Sequence, residues 1–501
     1  MFWPFKNKNT EKHSKIHRPK KRSRSAWDAS KFDNLVSGWS IESRPINAQL
    51  EDELRQLRAR SRQLAKNDPY LRRFFQLCRS NIVGSTGIQL RSQVVRGLGK
   101  RRGEPDELVR GIIEKGWQQF SKPSVCCAQE RLSMRDMQNL AIDSLFRDGE
   151  IILVEYAQGE HGISFKFMDP ELMDVNQNEW RGKNRVRMGV ELDPIGRAVA
   201  YHFHSTDTTH SNYYLFGGKG YVRFDKKHVI HKFMTEYVNQ IRGYPHSAAA
   251  MLRMRYLAGY EEAELVAART GSSSMGFIER GENGRGFEGD DDYDDEPVIE
   301  TDPGSWHYLD NGAKVHTWDP SHPNGAYKDY VKGVLRGIAS GLGVDYNTLA
   351  NDLEGVNFSS LRGGVLESRE LWKVAQEWFI EHVASDIFCR WISAALVRGL
   401  LVFPSTGQPL SSGELERFKE HRFQARRWAW VDPKKDLEAG VLAVNNGLRS
   451  RGDIIREQGG DPLQVWEELK KENEILDEYG IKTELALMAT PDKPEEVEDE
   501  T

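Results

Sequence analysis

RVRMGVELDPIGRAVAYHFHS, residues 185–205, decides the fold class. Apolar and polar side chains alternate along both halves, the period of a half-buried strand. Asp193-Pro194-Ile195-Gly196 stands between the halves and supplies the backbone angles of a tight turn, so the stretch predicts a hairpin. Working outward, RDGEIILVEY (147–156), GISFKFMDPELM (162–173), NYYLF (212–216) and HVIHKF (228–233) alternate in the same way, which makes 148–240 a β-rich block.

Both flanks of that block read as helix. Leu50, Leu54, Leu57 and Leu64, then Leu71, Phe74, Phe75 and Cys78, recur mostly at three- and four-residue steps over 45–80. Asp68 before Pro69 is pushed out of helical geometry and breaks the run in two. NIVGSTGIQLRSQ (81–93) alternates like a strand, and helices are expected around 105–121 and 133–147. Past the block, 243–270 reads as a long Ala-rich helix with Pro245 in its first turn, and 326–343 as a second. An Asn- and Asp-rich loop at 344–360 follows, then a much longer helix from Leu361 to Leu396 and helical text from 432 to 476. Trp372, Trp378, Phe379, Phe388 and Trp391 lie on more than one face of the long helix, which predicts burial on several sides. The fold class is therefore α+β, and 501 residues exceed what one hydrophobic core supports, so several packed regions are expected.

Composition narrows the function. No apolar run approaches the roughly eighteen residues of a membrane-spanning helix, and the basic start MFWPFKNKNTEKHSKIHRPKKRSRSAW lacks the apolar stretch of a secretory signal. A cytosolic setting follows, in which Cys78, Cys126, Cys127 and Cys389 are expected as buried free thiols, since none is spaced for zinc. The net charge of -5 is unlike that of a generic nucleic-acid binder. It is unevenly spread: 6–24 is basic, while 279–302 and the terminal PDKPEEVEDET are acidic. GGKG at 217–220 lacks the spacing and hydroxyl residue of a phosphate-binding loop, and no nucleophile elbow or zinc-protease helix occurs. His202, His204, His210, His228 and His231 lack a supporting carboxylate or cysteine motif and read as packing or surface residues. No catalysis, metal or cofactor is expected. The rival is a metal-dependent nucleic-acid-processing enzyme of a mobile element built on the carboxylates of 290–296. A contiguous run suits two-metal chemistry poorly, because such sites draw carboxylates from separate elements. A head–tail adaptor is the other alternative.

Several segments, in order, resemble the lambda family of phage portal proteins. They are LRARSRQLAKNDPYLRRFFQLCRSNIVGSTGIQL (57–90), RDGEIILVEY (147–156), VELDPIGRAVAYHFHS (190–205), HVIHKFMTEYVNQIRGYP (228–245), GVDYNTLANDLEGVNFSSLRGGVLESRELWK (343–373) and DPKKDLEAGVLAVNNGLRSRGDIIREQGGDPLQVW (432–466). One departure is Phe358, where the family often carries tyrosine before the Ser-Ser pair. The resemblance implies a multi-domain portal fold that assembles as a usually dodecameric ring with an axial channel at one capsid vertex. By order of elements it implies a basic tail (1–25), a wing (26–244), an outgoing stem helix (245–271), a clip (272–324) and a returning stem helix (325–343). A tunnel loop (344–360), a long wing helix with its connection (361–431), a crown (432–478) and an acidic tail (479–501) follow.

It also implies double-stranded DNA passing without sequence specificity, and docking of the terminase large subunit and then head-completion proteins. Contact with capsid and scaffold proteins is implied too, with the virion as destination and the host cytoplasm as the place of assembly. Asp345, Asn347, Asn351, Asp352, Glu354 and Asn357 are the expected channel-lining residues, with no Lys or Arg before Arg362. Phosphate contacts supply most sequence-independent affinity for DNA, so an acidic collar there would avoid gripping it. Glu288, Asp290, Asp291, Asp292, Asp294, Asp295 and Glu296 form the expected partner-docking surface of the clip.

Overall fold

The computed structural model describes residues 42–97, 102–205, 220–272, 276–279, 314–317, 326–354, 358–428, 433–458, 460 and 462–480. Two units divide the chain, Met1–Pro45 and Ile46–Thr501, and every helix and strand among the described residues lies in the second.

Helix α1 (Ile46–Asn67) buries Leu50, Leu54, Arg58 and Ser61 on one face. Asp68 then leaves the helical region and caps α2 (Pro69–Cys78), its carboxylate accepting from the Leu71 amide at 2.7 Å. The expected break is thus an N-cap. The strand expected over 81–93 forms only in part: α2 runs on into a π-turn (Arg79–Val83), where Asn81 donates to the Leu77 carbonyl, and Gly84 ends it. Strand β1 is Gln89–Ser92 alone. Helix α3 (Glu107–Phe120), the short α4 (Pro123–Cys126) and α5 (Met134–Asp148) follow, α5 opened by a reciprocal Ser133–Asp136 capping box.

The β-rich block is present as two antiparallel sheets. Strands β2 (Ile151–Tyr156) and β3 (Ser164–Phe167) lead into β4 (Glu179–Arg181), β5 (Asn184–Arg187), β6 (Val190–Leu192) and β7 (Ala198–His204). After these come β8 (Tyr221–Asp225) and β9 (Val229–Lys232). One sheet has the order β3-β2-β9 and the other β4-β5-β6-β7-β8. The hairpin at 193–196 joins β6 to β7, with the Asp193 carboxylate accepting from the Ile195 and Arg197 amides. Ile152, Val154, Leu172, Val190, Tyr201, Phe203 and Val229 pack together where the two sheets meet.

A 3-10 turn (His246–Ala249) precedes α6 (Met251–Ser272), so Pro245 opens that turn and not the helix itself. Strands β10 (Gly276–Glu279) and β11 (Lys314–Thr317) pair antiparallel and bracket the acidic insertion. Helices α7 (Tyr327–Leu342) and α8 (Tyr346–Ala350) follow, then α9 (Phe358–Phe379). A second π-turn (Ile380–Ala384) fuses α9 to α10 (Ser385–Val397), so the long helix starts three residues before Leu361. Short α11 (Leu415–Phe418) and β12 (His421–Gln424) return to pair with β1. Helices α12 (Pro433–Asn445), α13 (Arg451–Glu457) and α14 (Pro462–Glu478) complete the order.

The main core gathers around the fused helix. Trp391 is fully buried, with Trp117 at 5.2 Å and Phe120 and Phe388 at 5.8 Å between ring centroids, and its indole N–H donates to His161 Nδ1 at 3.1 Å. Cys78, Cys126 and Cys127 are buried free thiols, and Cys389 is half-buried. No helix among the described residues is long and apolar enough to cross a membrane.

Between helices and sheets lies a buried ionic hub. The Glu150 carboxylate, just before β2, accepts from Arg58 of α1 at 2.7 Å and from Arg242 at 2.5 Å. His231 of β9 lies 2.9 Å away, and the Gly243 amide donates at 3.3 Å. Arg242 also donates to the carbonyls of Met173, Met188 and Pro170, and Arg58 to that of Asp148. Burial alone would push the Glu150 carboxyl up, but Arg242, then Arg58 and His231, outweigh it and hold it well below the usual carboxylate range. Beside the hub two backbones touch. Gly149 caps α5 at φ +92°, and a Cβ on Gly243 would lie 1.9 Å from its carbonyl oxygen.

Candidate functional site

The expected stem helices α6 and α7 pack on one another. At Gly337 of α7 the Arg253 side chain of α6 lies across the helix: a Cβ there would lie 2.0 Å from its guanidinium. Farther along, Tyr260 stacks on Tyr327 at 5.8 Å and meets Tyr330 edge-on at 4.7 Å, tying the two helices together. At the base, His246 stacks on Phe74 at 5.7 Å and donates from Nε2 to the Leu342 carbonyl at 3.0 Å. Gly343, left-handed at φ +68°, ends α7.

The segment expected as a loop at 344–360 contains α8. Asp345 is its N-cap, its carboxylate accepting from the Thr348 amide at 2.9 Å and hydroxyl at 3.1 Å. Leu349 anchors the turn in the core, and Asn351 ends it in the left-handed region at φ +54°. Asn347 is half-buried, and its carbonyl accepts from the Asn351 and Asp352 amides. The helix is too short to show a period, which is why its Asn- and Asp-rich text reads as loop.

The acidic side chains of the segment do not stand alone. Asp352 accepts from the Tyr346 hydroxyl at 2.7 Å and pairs with Lys332 of α7 at 3.1 Å, and Glu354 pairs with Lys328. Lys332 and Arg336 lie over the Tyr346 ring at 5.8 and 5.6 Å. Lys328, Lys332 and Arg336 form one row at four-residue steps on α7, and the first two meet Glu354 and Asp352 of the segment. The Tyr346 hydroxyl, then the Glu354 amide and Lys332, hold the Asp352 carboxyl down at about 2, while burial and then Asp352 push the Tyr346 phenol up to about 12. At neutral pH Asp352 is therefore a carboxylate and Tyr346 a neutral phenol. The row of cations was not weighed with the segment because it lies in the preceding helix.

Asn357 of the expected channel set lies outside the described residues, as do Glu288, Asp290, Asp291, Asp292, Asp294, Asp295 and Glu296 of the expected clip surface. His202 meets Glu191 at 3.1 Å and His204 meets Asp174 at 3.5 Å, while His231 belongs to the ionic hub. Among the described residues no group of three His, Cys, Asp or Glu side chains is placed to hold a metal.

The profile described as phage portal protein, lambda family, matches residues 32–376, more than half of the chain. The chain belongs to the lambda family of phage portal proteins. The probable portal protein of Halomonas phage phiHAP-1 is 30% identical to this portal chain over 432 residues, covering 85% of the chain and 81% of the relative. Portal protein B of Escherichia phage lambda is 22% identical over 501 residues, with 90% of each covered. Among solved structures, a chain from the neck of a native gene transfer agent particle, computed with C12 symmetry, covers 85% of this chain at 13% identity and a TM-score of 0.41. The mixed helix-and-sheet fold of this portal chain carries the α8 patch within the region of the family match.

Proposed function

We propose that the portal chain closes into a dodecameric ring at one capsid vertex, and that double-stranded DNA passes along its axis during packaging and ejection. Residues 26–244 and 361–431 form the wing, 245–271 and 325–343 the stem, 272–324 the clip, 344–360 the channel-facing segment and 432–478 the crown. The order of elements carries this assignment: α6 and α7 are bound side by side, and the strands after α6 and before α7 pair as β10 and β11, bracketing an insertion. The clip presents its acidic 288–296 stretch to the terminase motor and then to head-completion proteins. The patch of Asp345, Asp352 and Glu354 faces the passage. Asp352 and Glu354 are paired with Lys332 and Lys328 and Asp345 caps α8, so phosphate meets fixed dipoles and paired charges. The collar therefore limits slippage by shape and fixed charge with little affinity for DNA.

Electron microscopy of the purified chain tests the assembly: rings with an axial channel are expected, and a monomer would overturn it. Replacing Asp352 and Glu354 with Lys is expected to slow packaging or ejection, and unchanged packaging would remove the segment from the channel. Deleting 288–295 is expected to abolish motor docking while ring formation persists.

A further inference from the structure

Where α9 faces α12 and α13, a cleft of about 610 Å³ opens that the portal assignment leaves unused. Its walls carry five cations, Arg362, Arg369, Lys373, Arg427 and Arg449, against three carboxylates. Those carboxylates are engaged: Asp436 pairs with Arg362 at 3.2 Å, Glu370 with Lys373 at 2.5 Å and Glu457 with Arg449 at 2.8 Å. Arg369 and Arg427 are left over. The Nε of each is buried without a hydrogen-bond partner, and the Arg369 guanidinium lies 5.9 Å over the Trp428 ring. Buried guanidinium N–H groups without acceptors are costly, and both of these side chains line an open cleft. Burial, and after it the neighbouring Arg426 cation, pushes the Arg369 guanidinium down, opposed only by the Asp436 carboxylate.

The remaining walls restrict which anion fits. Leu366, Ala443 and Ile454 line the same cleft, so the occupant brings apolar groups beside its charges. A phosphodiester backbone has none. Residues 484–500 of this chain, ELALMATPDKPEEVEDE, have that composition: seven acidic residues against the single Lys493, with Leu485, Leu487, Met488 and Val497 among them. Helix α14 packs against α13, which supplies Ile454 and Glu457 to the cleft, and α14 ends at Glu478. α14 spans about 25 Å at 1.5 Å per residue, whereas an extended chain covers about 3.3 Å per residue, so the segment can double back along α14 with length to spare. We propose that this cleft docks the chain's own C-terminal segment, residues 484–500. Its carboxylates would pair with Arg369 and Arg427, and its apolar side chains would cover Leu366, Ala443 and Ile454. Docking would clip α12–α14 onto α9, fastening the C-terminal helices to the long helix by charge.

The test uses the full-length chain with a photo-crosslinking amino acid in place of Leu366, which is 43% exposed and lines the cleft. Irradiation followed by peptide mapping is expected to yield cross-links to 484–500. The double variant Arg369→Glu with Arg427→Glu is expected to lower that yield about tenfold or more, the factor set by losing one hydrogen bond to a charged group. Adding Glu495→Lys, Glu496→Lys and Glu498→Lys to that variant is expected to restore the yield, and the restoration also shows that the variant folds. Arg369→Lys with Arg427→Lys keeps the charge and is expected to keep most of the yield. Absence of cross-links to 484–500 would overturn the proposal, as would a yield indifferent to charge reversal. Capture of added duplex DNA at position 366 in preference to the segment would assign the cleft to nucleic acid instead.

Discussion

Replacing Glu150 with Gln preserves shape and removes one charge from the buried hub. Arg58 is 1% exposed and Arg242 fully buried, and guanidinium groups do not deprotonate to escape, so both cations stay charged with no carboxylate between them. Unit charges 4 Å apart attract by about 4 kcal/mol at an effective dielectric near 20, and the substitution forfeits two such attractions. The carbonyls of Met173, Met188 and Pro170 still accept from Arg242, and that of Asp148 from Arg58, which recovers part of the loss. The introduced amide nitrogen would in turn face donor N–H groups. The net expectation is a destabilisation of about 3–5 kcal/mol, the range for removing one member of a buried ion pair. Urea unfolding followed by near-ultraviolet circular dichroism reads it as a lowered midpoint. Glu179→Gln breaks an Arg181 pair about half-exposed on both sides and is the matched control, expected to cost under about 1 kcal/mol. Combining Glu150→Gln with Arg58→Met is expected to recover part of the loss, since one stranded cation then leaves with its partner. A midpoint for Glu150→Gln no lower than that of Glu179→Gln would refute the hub as a source of stability.

Burial holds the His231 imidazole below its ordinary value of 6.5, and does the same for His161 and His202. The unfolded chain therefore binds these protons more readily, and the stability they contribute is complete above about pH 6.5 and drains away as pH falls below it. His231→Gln is expected to shallow the loss of melting temperature between about pH 6.5 and 5, and an unchanged slope would exclude His231. Gly243→Ala is expected to abolish soluble folded protein, because its Cβ would sit 1.9 Å from the Gly149 carbonyl oxygen; a normal yield and melting curve would show that the two backbones can part. The Asp352 carboxyl, followed by carbon-13 NMR, is expected to titrate near 2, and Tyr346→Phe to move that midpoint up towards the ordinary value; a midpoint near 3.8 in the parent chain would mean the lattice of the α8 patch is open in solution.

Periodicity made most helices legible, because α3, α5 and α7 each bury one regular face, whereas β2 and β7 bury four successive residues on both faces despite the alternation in their text. Where local chemistry competed with periodicity the text misled: Asn81 bonding back to Leu77 prolonged a helix where alternation suggested a strand. The five residues of α8 are too few to show a period, although Asp345 with Thr348 three residues on was a capping signal in plain view. The hub could not be read, since Glu150 lies 92 residues from both Arg58 and Arg242. Its one local trace was Arg58 on the same face of α1 as Leu50 and Leu54, a charge among apolar positions. The charge balance of the patch was missed for a related reason, its cations belonging to α7 and its anions to the turn after it.

The π-turn at Ile380–Ala384 places one surplus residue inside an otherwise regular helix. The wider turn takes up that residue, so the helix beyond keeps its facing, whereas a one-residue deletion in the regular stretch of α9 would rotate everything downstream by about 100°. Phe388, Trp391 and Ile392, all fully buried, would swing out of the core, and Trp391 would let go of His161. The two halves of this helix are therefore geared together, with the π-turn as the one place where a surplus residue is taken up without turning α10.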